Sequence, residues 1–394
     1  MSSAIVIGGG IAGAATAFEL AARGIRTTLI DAGHTGQATA ASAGILQPWS
    51  SSVTGDFYRL YSHGAAHYPG LLERLAGRGI HTTSFARTGG LFVSRDESTV
   101  ATALERTLAR KDAGEELIGD ARMLSSAQLQ AMFPPLAAGL TGFLVPGGGH
   151  VDGRVFRDAL LDAAVGLGAQ VIRGRAELGA GLGAAGAEQA EASTAGAVTV
   201  HPPAGASATA GSAHQATGGT ADRAQVLHAD AIVVASGAWT NALLAPLGIE
   251  VPLHPQRGQI THLRVEGVDT SGWPSVHMGD HYLVAFGDSR VAVGATREHE
   301  AGFDPRVTAS GQLSVLAKAL DVAPGLADAT LIETRVGLRP YPDAELPLFG
   351  RLADRLYLAT GFGAGGLTMG PYIGSLVARA VAEDAQVEAA TIGS

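Results

Sequence analysis

The feature that most constrains this chain is Gly8-Gly9-Gly10-Ile11-Ala12-Gly13, set directly behind the apolar, β-branched run Ala4-Ile5-Val6-Ile7. Such a run reads as a buried parallel strand. Ala14 to Arg23, after the glycines, reads as a helix stopped by Gly24. In this order the glycines have separate tasks. Gly8 permits the tight turn, Gly10 lets the backbone approach a pyrophosphate, and Gly13 lets helix and strand pack closely. The helix N-terminus, at Ile11 and Ala12, offers free N–H groups and a positive dipole end to the phosphates. A second strand, Thr27 to Ile30, ends in Asp31, at the spacing that hydrogen-bonds a ribose hydroxyl and argues against a 2′-phosphate. One glycine match means little among 55 glycines. Strand, glycines, helix, strand and acid in sequence make dinucleotide binding the expectation.

Composition narrows the class. At 394 residues the chain exceeds one ordinary core, so two domains are expected. Hydrophobic residues make up 46% and charged residues 16%, as in a soluble globular enzyme, and the net charge of −9 gives nucleic-acid binding no electrostatic support. There is no cysteine, which excludes disulfides, thiolate metal sites and a cysteinyl-flavin bond. The first apolar run leads straight into the glycine turn, which makes it a strand and not a signal peptide. No stretch reaches transmembrane length. The expected location is the cytoplasm.

Further along, about 176–224 is rich in Ala, Gly, Ser and Thr and reads as a long, mobile insertion in a surface β-region. His201, His214 and His228 fall in or beside it, with no metal-ligand spacing, and read as solvated loop histidines; no metal site is expected. Ala231-Ile232-Val233-Val234-Ala235 repeats the buried-strand pattern and ends at Ser236-Gly237-Ala238-Trp239. Alternating runs follow at 259–265, 282–286 and 291–294, which suggest an antiparallel sheet. Thr308 to Leu320 reads as a helix. Leu356 to Thr360 is a strand entering a second glycine turn, Gly361-Phe362-Gly363-Ala364-Gly365-Gly366, with Pro371 placed like a first-turn residue of a helix that runs to about Glu383.

Taken together, these stretches resemble the D-amino-acid oxidase superfamily of flavoproteins, in its glycine oxidase and D-amino-acid dehydrogenase branch. The resemblance is carried by Gly8 to Gly13 with Asp31, Thr39-Ala40-Ala41-Ser42-Ala43-Gly44-Ile45-Leu46, Val233 to Trp239, Arg257-Gly258-Gln259-Ile260, Gly337-Leu338-Arg339-Pro340, and Thr360 to Gly370. It implies an α/β fold: a discontinuous Rossmann-like FAD-binding domain (1–80, 146–250 and 336–394) plus a substrate domain with a mixed, largely antiparallel sheet (81–145 and 251–335). The implied cofactor is FAD, non-covalent or histidyl.

The resemblance also implies roles. Thr39, Ala40, Ala43, Gly44, Ile45 and Leu46 would pass along the pyrophosphate and one face of the flavin. Ala176 would sit near adenine, where the family has a valine, and Gly237 and Trp239 would also touch the cofactor. Gly361, Gly363, Gly366, Leu367 and Thr368 would set backbone N–H groups against the flavin pyrimidine, and the helix near Pro371 would add its dipole. Arg339 would fork onto a substrate carboxylate, a contact that lysine cannot copy. Tyr282 would line the pocket. Leu46, Gln47, Trp49 and Ala364 are candidates for side-chain selection. Arg297 stands where glycine oxidases are apolar; it is expected to meet a second acidic or polar substrate group, or else Glu298 or Glu333.

The implied reaction is oxidation of the C–N bond of a small amino acid (a D-amino acid, glycine or an N-substituted amino acid) by hydride transfer to flavin N5, giving an imine that hydrolyses. Positioning and flavin electrostatics suffice, and no general base is named. The substrate is a small amino acid, and the electron acceptor is oxygen, a quinone or another protein. Lys111 and Lys318 lie in stretches that read as helical and exposed, which disfavours a lysine that activates oxygen over the flavin without excluding an oxidase. Two other readings stay open at this stage: an FAD-dependent 2-hydroxy-acid dehydrogenase and a non-catalytic flavin-binding or sensing protein.

Overall fold

The structure, a computed structural model, describes residues 2–179, 197–203 and 223–392. Strand β1 (Ser3–Ile7) is buried along its length and lies inside a six-stranded sheet. It pairs in parallel with β2 (Arg26–Asp31) on one side and with Ala231–Val234 on the other. Leu356–Thr360 and Gln170–Arg173 extend the parallel set, and only the edge strand Leu348–Ala353 runs antiparallel. Strands covered on both faces need continuous apolar runs, and the three central ones have them.

Helix α1 (Ile11–Ala22) follows the glycine turn and is buried from Ile11 to Ala21. Its approach to the sheet depends on Gly13, where a Cβ would stand 1.8 Å from the Gly8 carbonyl oxygen. Gly8 itself adopts φ +113°, a conformation that L side chains rarely take.

The second sheet has eight strands, in the order Thr330–Pro342, Leu253–Arg264, Arg290–Gly294, His281–Ala285, Ser275–Met278, Gly90–Ser94, Thr141–Val145, Arg122–Leu124. Neighbours are antiparallel except Ser275–Met278 with Gly90–Ser94. The two long strands at one edge pair from Leu253 opposite Pro342 to Arg264 opposite Thr330. The expected division between 335 and 336 therefore falls inside one strand. A buried carboxylate ties a helix to the eight-stranded sheet. Asp152 caps the helix Gly153–Gly166 and reaches Arg290 at 2.8 Å and Arg335 at 3.8 Å in the eight-stranded sheet.

Two expectations need correcting. The C-terminal helix begins at Gly366 and runs to Ile392, so Pro371 is an interior residue. Proline has no N–H to give the Leu367 carbonyl; the buried hydroxyl of Tyr68 donates to that carbonyl at 2.6 Å instead. Tertiary contact thus supplies the bond that would otherwise end the helix here. The second correction concerns 176–224. Strands bound it and cross its middle: Arg175–Leu178, Ala197–His201 and Gln225–His228 form a three-stranded antiparallel sheet. Val198 and Val200 are buried and join a core that includes Leu178, Ile5 and Ile7. His201 is therefore a strand residue that meets Glu177 at 2.9 Å, and His228 also lies on a strand. The rest of the insertion, with His214, lies outside the described residues.

Candidate active site

A long cavity runs from the first glycine turn to the paired long strands. At its first end it is lined by Gly8, Gly10, Ile11, Ala12, Asp31 and Ala176. Helix α1 has Gly10 as its N-cap, no capping side chain and no acid in its first turn. Of its free amides, Ile11 N–H donates to Thr39 Oγ1 at 3.0 Å. A helix terminus left cationic, opening on a cavity and flanked by a carboxylate, fits a dinucleotide pyrophosphate and its ribose. Asp31 is oriented by Gln37, whose Nε2 donates to it at 3.0 Å.

The middle of the cavity is lined by Thr39, Gly237 and Trp239, with His34 stacked on Trp239 at 4.5 Å between centroids. At the far end Gly363, Ala364, Gly366 and Leu367 face Tyr282, Arg297 and Arg339. The helix start at Gly366, five residues ahead of the expected one, brings its N-terminus to this end of the cavity.

Several expected residues lie behind this lining. Gly13 is taken up by the α1 packing described above. Ala40, Ala43, Gly44, Ile45, Gly361 and Thr368 are not among the lining residues. Thr368 instead ties the segments together, donating to the Ile45 carbonyl at 3.0 Å. The side-chain candidates Leu46, Gln47 and Trp49 are buried away from the lining as well. Leu46 belongs to the main core, Gln47 Nε2 donates to Ser50 Oγ at 3.1 Å, and Trp49 Nε1 donates to Glu115 at 2.8 Å. Among these candidates only Ala364 reaches the cavity.

Arg339 projects from the strand Thr330–Pro342. Its Nη1 donates to Gln256 Oε1 at 3.0 Å and to the Thr296 carbonyl at 3.1 Å. Gln256 is its direct cross-strand partner. Among the described residues no carboxylate lies within ion-pair distance of Arg339. Burial pushes its guanidinium down from the ordinary arginine value, with Tyr282 opposing and the Arg297 charge adding to the effect; an arginine so placed stays cationic. Gly258 makes the space, because a Cβ there would come within 2.3 Å of Arg339 Nη2. Burial raises the Tyr282 phenol above its ordinary value, so at neutral pH it is a hydroxyl able to donate.

Neither of the internal partners considered for Arg297 is available. Glu298 is held by Arg257 at 2.5 Å and by Gln259 at 2.8 Å, and Glu333 is held by Arg335 at 2.7 Å. Arg297 is exposed to the cavity, with no ion pair or hydrogen bond among the described residues; at longer range its charge acts on Asp280, Tyr282 and Arg339. Asp280 lines the same end and meets Lys318 at 3.0 Å. Burial works to raise the Asp280 carboxyl, but Lys318 and Arg297 prevail and hold it below the usual value. His281 points into the core, where burial drives its pKa down to about 4.

Sequence reasoning missed Gln256, Gly258 as a spacer for Arg339, and Asp280. The motif Arg257-Gly258-Gln259 was visible, but only the strand register places Gln256 opposite Arg339.

Comparison with known proteins gives a consistent result. The family model described as FAD dependent oxidoreductase (DAO) matches residues 3–380. An uncharacterised oxidoreductase of Bacillus subtilis, YurR, is 40% identical over 97% of this chain and 95% of its own. The glycine oxidase of Geobacillus kaustophilus is 28% identical over 95% of this chain and 91% of its own. Among solved structures, iminodiacetate oxidase from Chelativorans sp. BNC1 superposes with a TM-score of 0.84 at 38% identity, covering 96% of this chain and 95% of that one. The chain belongs to the DAO family of FAD-dependent oxidoreductases.

Proposed function

We propose that this DAO-family flavoenzyme oxidises the C–N bond of a small amino acid, and that its preferred substrates are N-substituted amino acids with two carboxylates, of which iminodiacetate is the simplest. The observation that carries this reading is the pair of arginines at one end of the cavity, Arg339 and Arg297, neither of them ion-paired among the described residues. Two uncompensated guanidinium groups at one site call for a dianionic ligand. The similarity to an iminodiacetate oxidase supports the same class.

In this reading Arg339 takes the carboxylate next to the carbon that is oxidised, held in place by Gln256 and the Thr296 carbonyl. Tyr282 donates a hydrogen bond to the same carboxylate. Arg297 takes the second carboxylate, and Asp280, paired with Lys318, stands at the same end. FAD, when bound, supplies the two-electron acceptor. No lining side chain at this end is placed as a general base; the neutral amine drives loss of hydride from Cα, and the imine hydrolyses in water. Catalysis then consists of positioning and fixed charge.

The test is anaerobic reduction of the FAD-loaded chain by iminodiacetate, sarcosine, glycine, D-alanine and lactate, followed by flavin absorbance. Bleaching fastest with iminodiacetate is expected. Bleaching by lactate alone would replace this reading with 2-hydroxy-acid oxidation. Readmitting air then separates oxygen from a quinone or protein as electron acceptor.

A further inference from the structure

We propose that Gln256, His299, His254 and Asp343 are positioning residues: they form a one-way hydrogen-bonded chain that fixes the Arg339 guanidinium for a substrate carboxylate and releases it on uptake of one proton. This rests on the reading of Arg339 given above.

The chain runs from the cavity to the surface. Arg339 Nη1 donates to Gln256 Oε1 at 3.0 Å. Gln256 Nε2 lies 2.8 Å from His299 Nε2, His299 Nδ1 lies 3.1 Å from His254 Nε2, and His254 Nδ1 lies 2.6 Å from Asp343 Oδ1. The direction of every bond follows from its first member. Arginine can only donate, so Gln256 presents its oxygen to Arg339 and its NH₂ to His299. His299 Nε2 must then accept, its proton sits on Nδ1, and that N–H donates to His254 Nε2. His254 in turn carries its proton on Nδ1 and donates to the Asp343 carboxylate. The ring nitrogens bond one another in series and do not converge on a point, and no metal-holding group is found among the described residues.

One added proton reverses this order. Protonated His299 would present N–H to the Gln256 NH₂. Protonated His254 would donate from Nε2 to His299, which would move the His299 proton to Nε2 with the same result. In either case Gln256 must turn its oxygen to His299 and its NH₂ to Arg339, leaving two donors face to face. The charged and titratable groups around the rings come from three elements. Asp343 and Tyr341 lie on or just after the strand that carries Arg339, with the Tyr341 ring 5.4 Å from His254 and 5.0 Å from His299. Glu298 and Glu300 flank His299, and Glu298 is already engaged by Arg257. Arg257, beside Gln256, also holds Asp304. Asp343 is the acid in direct contact with the chain. Histidine is the side chain that changes charge in the physiological range.

The experiment titrates the FAD-loaded full chain with propionate, followed by flavin absorbance, because propionate has no amine to titrate and stays ionised above about pH 6. The unaltered protein is expected to bind propionate about tenfold more weakly at pH 6 than at pH 8, the scale of one charge-assisted hydrogen bond. In His299→Leu, a substitution in an exposed turn, the affinity is expected to be the same at both values. Independently of any variant, ¹⁵N NMR at pH 8 is expected to find both rings protonated at Nδ1. Equal affinity at both pH values in the unaltered chain, an unchanged pH response in His299→Leu, or an Nε2–H on either ring at pH 8 would overturn the proposal. Arg339→Leu separates the two readings. If it binds propionate as tightly as the unaltered chain, the carboxylate role of Arg339 fails and the chain's role fails with it. If it binds weakly while the unaltered chain shows no pH response, only the chain's role fails.

Discussion

The two ends of the cavity are built by opposite means. The dinucleotide end is backbone: a glycine turn, the amides of α1 and one acid, all within the stretch from Gly8 to Asp31. The substrate end is side chains drawn from distant segments. Arg339 is held by Gln256 across two strands, by the Thr296 carbonyl from a connecting segment, and by the space that Gly258 leaves. A site made of backbone tolerates change only where there is room for a Cβ. One made of side chains fails by loss of aim, with the fold intact.

The largest effect should come from breaking the backbone end. Gly13→Val would set a Cβ on the Gly8 carbonyl, and neither partner can move away. The expected outcome is no soluble, FAD-loaded protein, checked by flavin content after purification.

Next is the joint between the helix Gly153–Gly166 and the eight-stranded sheet. Burial works to raise the Asp152 carboxyl, but its bond to Arg290 and the nearby Arg335 charge outweigh it, so the folded-state value lies below the ordinary 3.8. A depressed carboxyl contributes stability above its unfolded value and loses it as pH falls through the folded one. Stability should thus decline on the acid side, below the ordinary aspartate range. Asp152→Asn should cost about 3 kcal/mol at neutral pH, since it leaves a buried arginine short of a partner, and should flatten that decline. Thermal melts at pH 7, pH 4 and about pH 2.5 would check this, the loss being expected only at the lowest value.

Gly258→Ala tests the side-chain end without harming the fold. The atoms its Cβ would meet are the far end of Arg339, which can swing aside. We expect normal melting and flavin content, with kcat/KM down by about thirtyfold, the scale of a misdirected charged hydrogen bond. An unchanged kcat/KM would mean that the aim of Arg339 does not matter.

The smallest and most selective effect is expected from Arg297→Met. Its KM should rise about tenfold for iminodiacetate and little for sarcosine, as for loss of one exposed charge contact. An equal rise for both would remove the second-carboxylate role.

Legibility follows the same division. β1, the glycine turn, α1 and β2 could be read directly because each depends on neighbours in sequence. The second glycine turn was legible for the same reason, although its helix begins at Gly366 and runs through Pro371. That continuation depends on Tyr68, a residue 299 positions away from Leu367. The strands at 175–178 and 197–201 were hidden in an Ala- and Gly-rich composition, and only burial of Val198 and Val200 against the first sheet distinguishes them. Leu46, Gln47 and Trp49 looked like pocket residues because they follow a cofactor segment; the chain turns there and buries them.

By itself, then, the sequence determined the nucleotide-binding half, because local order is enough for that, and its resemblance to a flavoprotein family implied the kind of cofactor and an arginine suited to a carboxylate. Tertiary structure alone decided which groups surround that arginine. It matched Glu298 with Arg257 and Glu333 with Arg335, left Arg297 without an ion pair among the described residues, and set Gln256 and two histidines behind Arg339. The physical reason is strand register: side-chain partners across a sheet are chosen by alignment over long sequence separations, and nothing local records it.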